Sequence, residues 1–151
     1  MKTLANRRDR DTLVQRLRCV RPDSAPRWGR MSAHQMVCHL ADALRMATGD
    51  KAVSEASGLL HRTLVKWLVL YAPLAWPAGI RTRPEIDQTI GGTKPLDFAS
   101  DVAQVEALLG KTAAHHATAW PPHPIFGRMS QSAWLRWAYL HTDHHLRQFG
   151  A

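Results

Sequence analysis

Three histidines fall within five residues near one end of the chain, in WLRWAYLHTDHHLRQFGA: His141, His144 and His145. Imidazoles relay protons, bind divalent metals and, when charged, meet phosphates. Spacing alone decides little. Nine histidines in 151 residues give about half a pair at the i, i+4 spacing by chance. Orientation says more. At about 100° per residue, His145 lies about 40° from His141, and Trp134 about 20°. Gln148 lies about 20° to the other side, flanked by Ala138 and Trp137. Arg136, Tyr139, Asp143 and Arg147 take the opposite side. His141 and His145 therefore centre an apolar stripe, with His144 at its edge.

Two imidazoles buried side by side need a reason, because each unpartnered polar atom costs about 1–3 kcal/mol. A divalent metal satisfies both, since i and i+4 project toward a common point. A pair of core histidines bonded to water or carbonyls is the alternative. The segment MSAHQMVCHLADALRM tips the balance. There His39 shares a face with Met36, Ala43 and Met46, while His34 lies about 140° away beside Arg45. His39, His141 and His145 would form a compact centre with positions open for water or substrate. Such a centre suits Lewis-acid activation or thiolate binding.

The other candidates read more plainly. His34 and His61 look like surface, Cys38 like core packing, and His115 and His116 like a solvated helix end. Asp42, one turn after His39, reads as an exposed helical acid, or alternatively as an acceptor that holds a ligand imidazole. His123, in PPHPIFG, stabilises a turn or overlooks the site. Arg81, Arg83 and Arg147 are candidates for binding an anionic group of a cosubstrate.

Helices must position these groups. A first helix is expected from about Asp9 to Val20, with Leu13, Val14, Leu17 and Val20 inward. Ser32 opens a second with Gln35 completing a capping box, and Gly49 stops it. A third spans roughly Leu59 to Tyr71; it is apolar nearly all round, so it should be central in the core or covered by a partner. Pro73 to about Leu96 reads as a long loop, functional or mobile. Asp97 or Ser100 caps a fourth helix carrying Phe98, Val102, Val105 and Leu109, and Ser130 caps the last, which reaches about Gln148. No strand alternation is visible. The fold class is all-α: a single bundle domain, residues 1–151, of four main helices plus an extra N-terminal one.

A net charge of +8 makes anionic partners plausible, and six tryptophans raise nucleic acid as a partner. Against nucleic acid, no recognisable binding module appears and Trp134 and Trp137 fall on the inward side. Two cysteines without a CxxC pattern point to a reducing cytoplasm. The first residues lack the apolar core of a signal peptide, and the most apolar stretch is too interrupted to span a bilayer. A metal-free packing or dimer module, with the third helix as its interface, is the competing reading. Either way a homodimer is an expected partner.

The segments WGRMSAHQMVCHLAD (28–42) and HPIFGRMSQSAWLRWAYLHTDHHLRQFG (123–150) resemble the DinB/YfiT-type superfamily of metal-dependent four-helix proteins, in particular a small bacterial branch of it. The resemblance implies an up-down-down-up bundle. It carries the superfamily's helix-two ligand onto His39 and its HxxxH pair onto His141 and His145. Gln148 matches a glutamine that commonly follows the pair, whereas Arg147 stands where many relatives have glycine. The implied metal is zinc or nickel. The implied activity is that of a metal-dependent transferase or hydrolase, acting on a small molecule with a low-molecular-weight thiol or water.

Overall fold

A computed structural model describes residues 1–56, 58, 60–72, 76–77, 79–80 and 82–151. Among these residues there are five α-helices and no strand: α1 (Arg7–Cys19), α2 (Ala33–Thr48), α3 (Lys66–Tyr71), α4 (Phe98–Ala113) and α5 (Gln131–Gln148). A π-helical turn, His61–Val65, runs directly into α3, and a short 3-10 turn covers Pro84–Ile86.

The helix starts follow side-chain capping. Asn6, Ser32, Asp97 and Ser130 each accept a backbone N–H from the first turn of α1, α2, α4 and α5. At Ser32 the capping box is complete, for Gln35 Oε1 accepts the Ser32 N–H at 2.9 Å. Gly49 ends α2 in the left-handed region, with φ of 82°. The fourth helix stops at Ala113, so His115 and His116 lie just past it rather than in its last turn.

α2 packs against both α4 and α5, and α1 lies across the same two helices. Thirteen of the sixteen residues of α2 are buried. That makes α2 the central element, and any polar side chain on it must find its partners inside the protein. Leu13 and Leu17 of α1, Val105 and Leu109 of α4, and Trp134 and Leu146 of α5 are fully or almost fully buried in the shared core.

The basic N-terminal segment is mostly exposed, with Arg10, Arg16 and Arg18 tied into the fold. Arg16 pairs with Asp143 at 2.6 Å and Arg18 with Glu106 at 2.7 Å, while Arg10 donates to the Leu4 carbonyl. Of the two positions expected for the third helix, in the core or under a partner, the structure excludes the first. Leu60, Leu64 and Trp67 are 61%, 55% and 58% exposed, and within Lys66–Tyr71 only Leu70 is buried. The expected start at Leu59 and the loop start at Pro73 lie outside the described residues. Among the described residues no helix is long and apolar enough to cross a membrane.

Candidate metal centre

His39 on α2 meets His141 and His145 on α5. One ring nitrogen from each lies within 4.8 Å of the others. The ring centroids are 4.7–5.1 Å apart, and the His39 Nε2 is 3.2 Å from the His141 Nε2. His39 and His145 are buried and His141 is half-buried.

Two neighbours fix the tautomers. His39 Nδ1 lies 2.8 Å from the Ile86 carbonyl oxygen, which can only accept, so Nδ1 carries the proton. Gln148 Nε2 donates to the Trp28 carbonyl at 2.7 Å, and this orients its amide. Its Oε1 then accepts from His145 Nδ1 at 2.8 Å. Both rings are left with a lone pair on Nε2. Burial holds the pKa of all three imidazoles below the usual range; mutual repulsion adds to this for His141 and His145, while the Ile86 and Gln148 contacts oppose it in part. At neutral pH the trio is uncharged, and His39 and His145 each keep a lone pair on Nε2.

The donor set fits a divalent ion. Three imidazole nitrogens about 2.0–2.1 Å from a tetrahedral zinc sit about 3.3–3.4 Å apart, so the 3.2 Å pair is already at ligand spacing. The third need only draw in. His141 stacks on Trp137 at 4.7 Å and 16°, which fixes its ring plane. Its outer side faces Trp76 at 6.2 Å, and Trp76 in turn faces His144 at 6.0 Å. Trp28 lies 5.6 Å from His144. These three rings are half-buried and lie on the His141 and His144 side of the trio.

Several supporting residues escape a reading of the helices alone. Asp42 is not exposed; its side chain is fully buried. Nor does it touch an imidazole. It accepts the Thr93 N–H at 2.8 Å, the Thr93 hydroxyl at 2.7 Å and Gln88 Nε2 at 3.1 Å, and it pairs with Lys51 at 2.9 Å. Burial alone would raise its pKa, but these donors outweigh that and the net shift is downward. Asp42 thereby clasps the 88–93 segment, and the same loop supplies the Ile86 carbonyl to His39. The loop between the third and fourth helices is thus part of the site.

His34 is not plain surface either: its Nε2 lies 2.7 Å from Asp101 Oδ2. Cys38 is buried on the same side, and burial, followed by Asp101, pushes its thiol up to about 12. His123 holds a turn, its Nδ1 accepting the N–H groups of Ile125 and Phe126 at 3.1 and 3.2 Å. Arg147 pairs with Asp143 at 3.0 Å, and Arg83 donates to Ser54 at 2.5 Å. Arg81 lies outside the described residues.

Fold and site together define an all-helical protein with three neutral histidines gathered between two of its helices. The chain belongs to the family described as protein of unknown function (DUF1569), whose family model matches residues 6–151. Neither a curated protein nor a solved structure matches it.

Proposed function

We propose that His39, His141 and His145 hold a divalent metal, zinc or nickel, and that the protein is a cytoplasmic metal-dependent transferase or hydrolase. Its substrate would be a small molecule, attacked by a low-molecular-weight thiol or by water. The observation that carries this is the 3.2 Å approach of the His39 and His141 Nε2 atoms, with the Nδ1 protons of His39 and His145 held away from the centre. An ion bound there supplies Lewis acidity, which favours the deprotonated form of a thiol or water at neutral pH. The chain's own groups do the rest. Ile86 and Gln148 keep two protons on the outer nitrogens, and Trp137 holds the His141 plane. His144, its pKa lowered by burial and by Arg147, is neutral near pH 7, and its ring stands 5.2 Å from His145, beside the trio, to accept a proton.

The same reading takes the helices as an up-down-down-up four-helix bundle of the DinB/YfiT type, with α1 as the addition. The packing of α2 on α4 and α5 supports it. The test is metal analysis of protein prepared without a histidine tag, beside His141→Ala. Wild type should hold one equivalent of zinc or nickel more than the variant. Equal metal content in both would overturn the reading.

One observation favours a second reading. The outward face of Leu60, Leu64 and Trp67 would suit a homodimer in which a second copy covers α3. Light scattering on wild type and Trp67→Asp checks it: the variant should be monomeric where wild type is dimeric. A monomeric wild type ends that reading.

A further inference from the structure

α2 carries a second group of donor atoms on its other side. His34 and Cys38 stand one turn apart, and Asp101 in the first turn of α4 faces them. One ligand atom from each lies within 4.8 Å of the others. His34 Nε2 is 2.7 Å and Cys38 Sγ 3.6 Å from the same oxygen of Asp101. The arrangement is braced. Phe98 meets the His34 ring edge-on at 5.3 Å, and the Leu96 N–H donates to Asp101 Oδ2 at 3.4 Å. It is also partly open: the His34 and Asp101 side chains are 21% and 17% exposed, while Cys38 is buried.

We propose that His34, Cys38 and Asp101 form a second metal site, for a zinc-class divalent ion that ties α2 to α4. The donor set selects this class. One imidazole, one thiolate and one carboxylate form a borderline set typical of zinc, and a single sulfur does not favour copper(I). Charge points the same way. On loading, the thiol proton leaves to solvent and the ring proton of His34 moves to Nδ1; thiolate and carboxylate then cancel the ion's two charges. The fourth position faces solvent on the His34 and Asp101 side. The set is charge-neutral and links two helices, so an ion held there braces α2 against α4 and keeps one position for water. The proposal does not rest on the histidine trio.

Cobalt(II) separates the two sites, because only a thiolate ligand gives an intense sulfur-to-cobalt absorption in the near ultraviolet. The protein to titrate is the full chain carrying Cys19→Ser, which removes the exposed thiol, with His141→Ala and His145→Ala, which disable the trio. We expect one equivalent of cobalt with the thiolate band, displaced by zinc. The band should be lost with Cys38→Ser, and lost or weakened at least tenfold in affinity with His34→Gln, which keeps a hydrogen-bond donor for Asp101. No cobalt uptake would overturn the proposal. So would a band unchanged in both His34→Gln and Asp101→Asn, since Cys38 would then be binding cobalt without its neighbours. The Cys38→Ser chain with the trio intact reports separately on the inner site, through cobalt bound without a sulfur band.

Discussion

Two regions bury neutral imidazoles and use them in opposite ways. In the trio, the Nδ1 atoms of His39 and His145 donate to oxygen acceptors, which leaves each ring a lone pair on Nε2, and that of His39 lies 3.2 Å from His141 Nε2. In the 123–127 turn, His123 Nδ1 accepts two backbone N–H groups, as an asparagine side chain would, and its Nε2 is buried without a partner. Both have pKa values pushed down by burial. Burial and a depressed pKa therefore do not distinguish a ligand from a structural histidine. The direction of the lone pair does.

Acid should expose the His123 side of this contrast. Its pKa is lowered by burial to about 3, whereas an unfolded histidine titrates near 6.5. A depressed folded value means that the unfolded chain takes up the proton first. The stability held above about pH 6.5 is then lost as pH falls toward about 3. Between pH 7 and pH 4 this position should cost on the order of 3 kcal/mol. His123→Asn keeps the acceptor and removes the titration, so urea unfolding at the two pH values should show a correspondingly smaller loss in the variant. Equal losses would mean that His123 does not sense acid.

Metal should expose the other side. At a zinc concentration about 100-fold above the dissociation constant, binding adds about 2.7 kcal/mol to stability, or about 5–10 °C in a chain of this size. We expect His141→Ala to lose that increment in a Cys38→Ser background and His123→Asn to keep it. If His123→Asn also abolished it, the proposed division between ligand and turn residue would fail.

The helix-borne part of this architecture was legible from the chain alone. The caps at Ser32 and Ser130, the stop at Gly49 and the shared inward face of His141 and His145 are local consequences of helix geometry. His39 followed because Met36, Ala43 and Met46 mark its face as apolar. Asp42 was misread for the same reason: a wheel places it among polar residues, and it cannot show that a loop fifty positions away covers that side. The Ile86 carbonyl is a backbone atom with no sequence signature at all. His34 looked exposed because its partner, Asp101, comes from another helix. For the third helix the apolar pattern leaves two positions open, in a core or at a face that a partner covers, and its exposure excludes the first.

Asp42 offers an indirect way to disturb the trio while leaving the His123 turn alone. Asp42→Asn keeps one oxygen for Thr93 but loses the charge that holds Lys51 and strengthens the Thr93 and Gln88 bonds. A loss of about 1.5–3 kcal/mol is expected, the range for hydrogen bonds to a charged group. Loosening the 88–93 segment should also free the Ile86 carbonyl from His39 Nδ1. Zinc affinity should then fall about tenfold, the lower end for a group that orients a ligand. Ring nitrogen NMR shifts of His39 check this without any activity assay. A single retained Nδ1–H tautomer in the variant would show that Asp42 does not position the ring.

The smallest change acts through a glycine. Gly29 has φ of 82°, and a Cβ there would meet Gln148 Nε2 at 2.7 Å. An alanine therefore carries both the left-handed backbone penalty, about 1 kcal/mol, and a close contact. The amide at Gln148 is the part that can move, and moving it breaks the Trp28 bond that turns Oε1 toward His145. His145 Nδ1 would lose its acceptor, its proton could shift to Nε2, and the ring would offer its lone pair to the wrong side. We expect Gly29→Ala to weaken zinc binding about tenfold at a stability cost near 1 kcal/mol, with the His123 turn and its acid response unchanged. Gln148→Leu should reproduce the affinity loss without the backbone penalty. If Gln148→Leu binds zinc as wild type does, the Gln148 bond does not set the His145 tautomer, and the trio is held by packing on Trp137 and the Ile86 carbonyl alone.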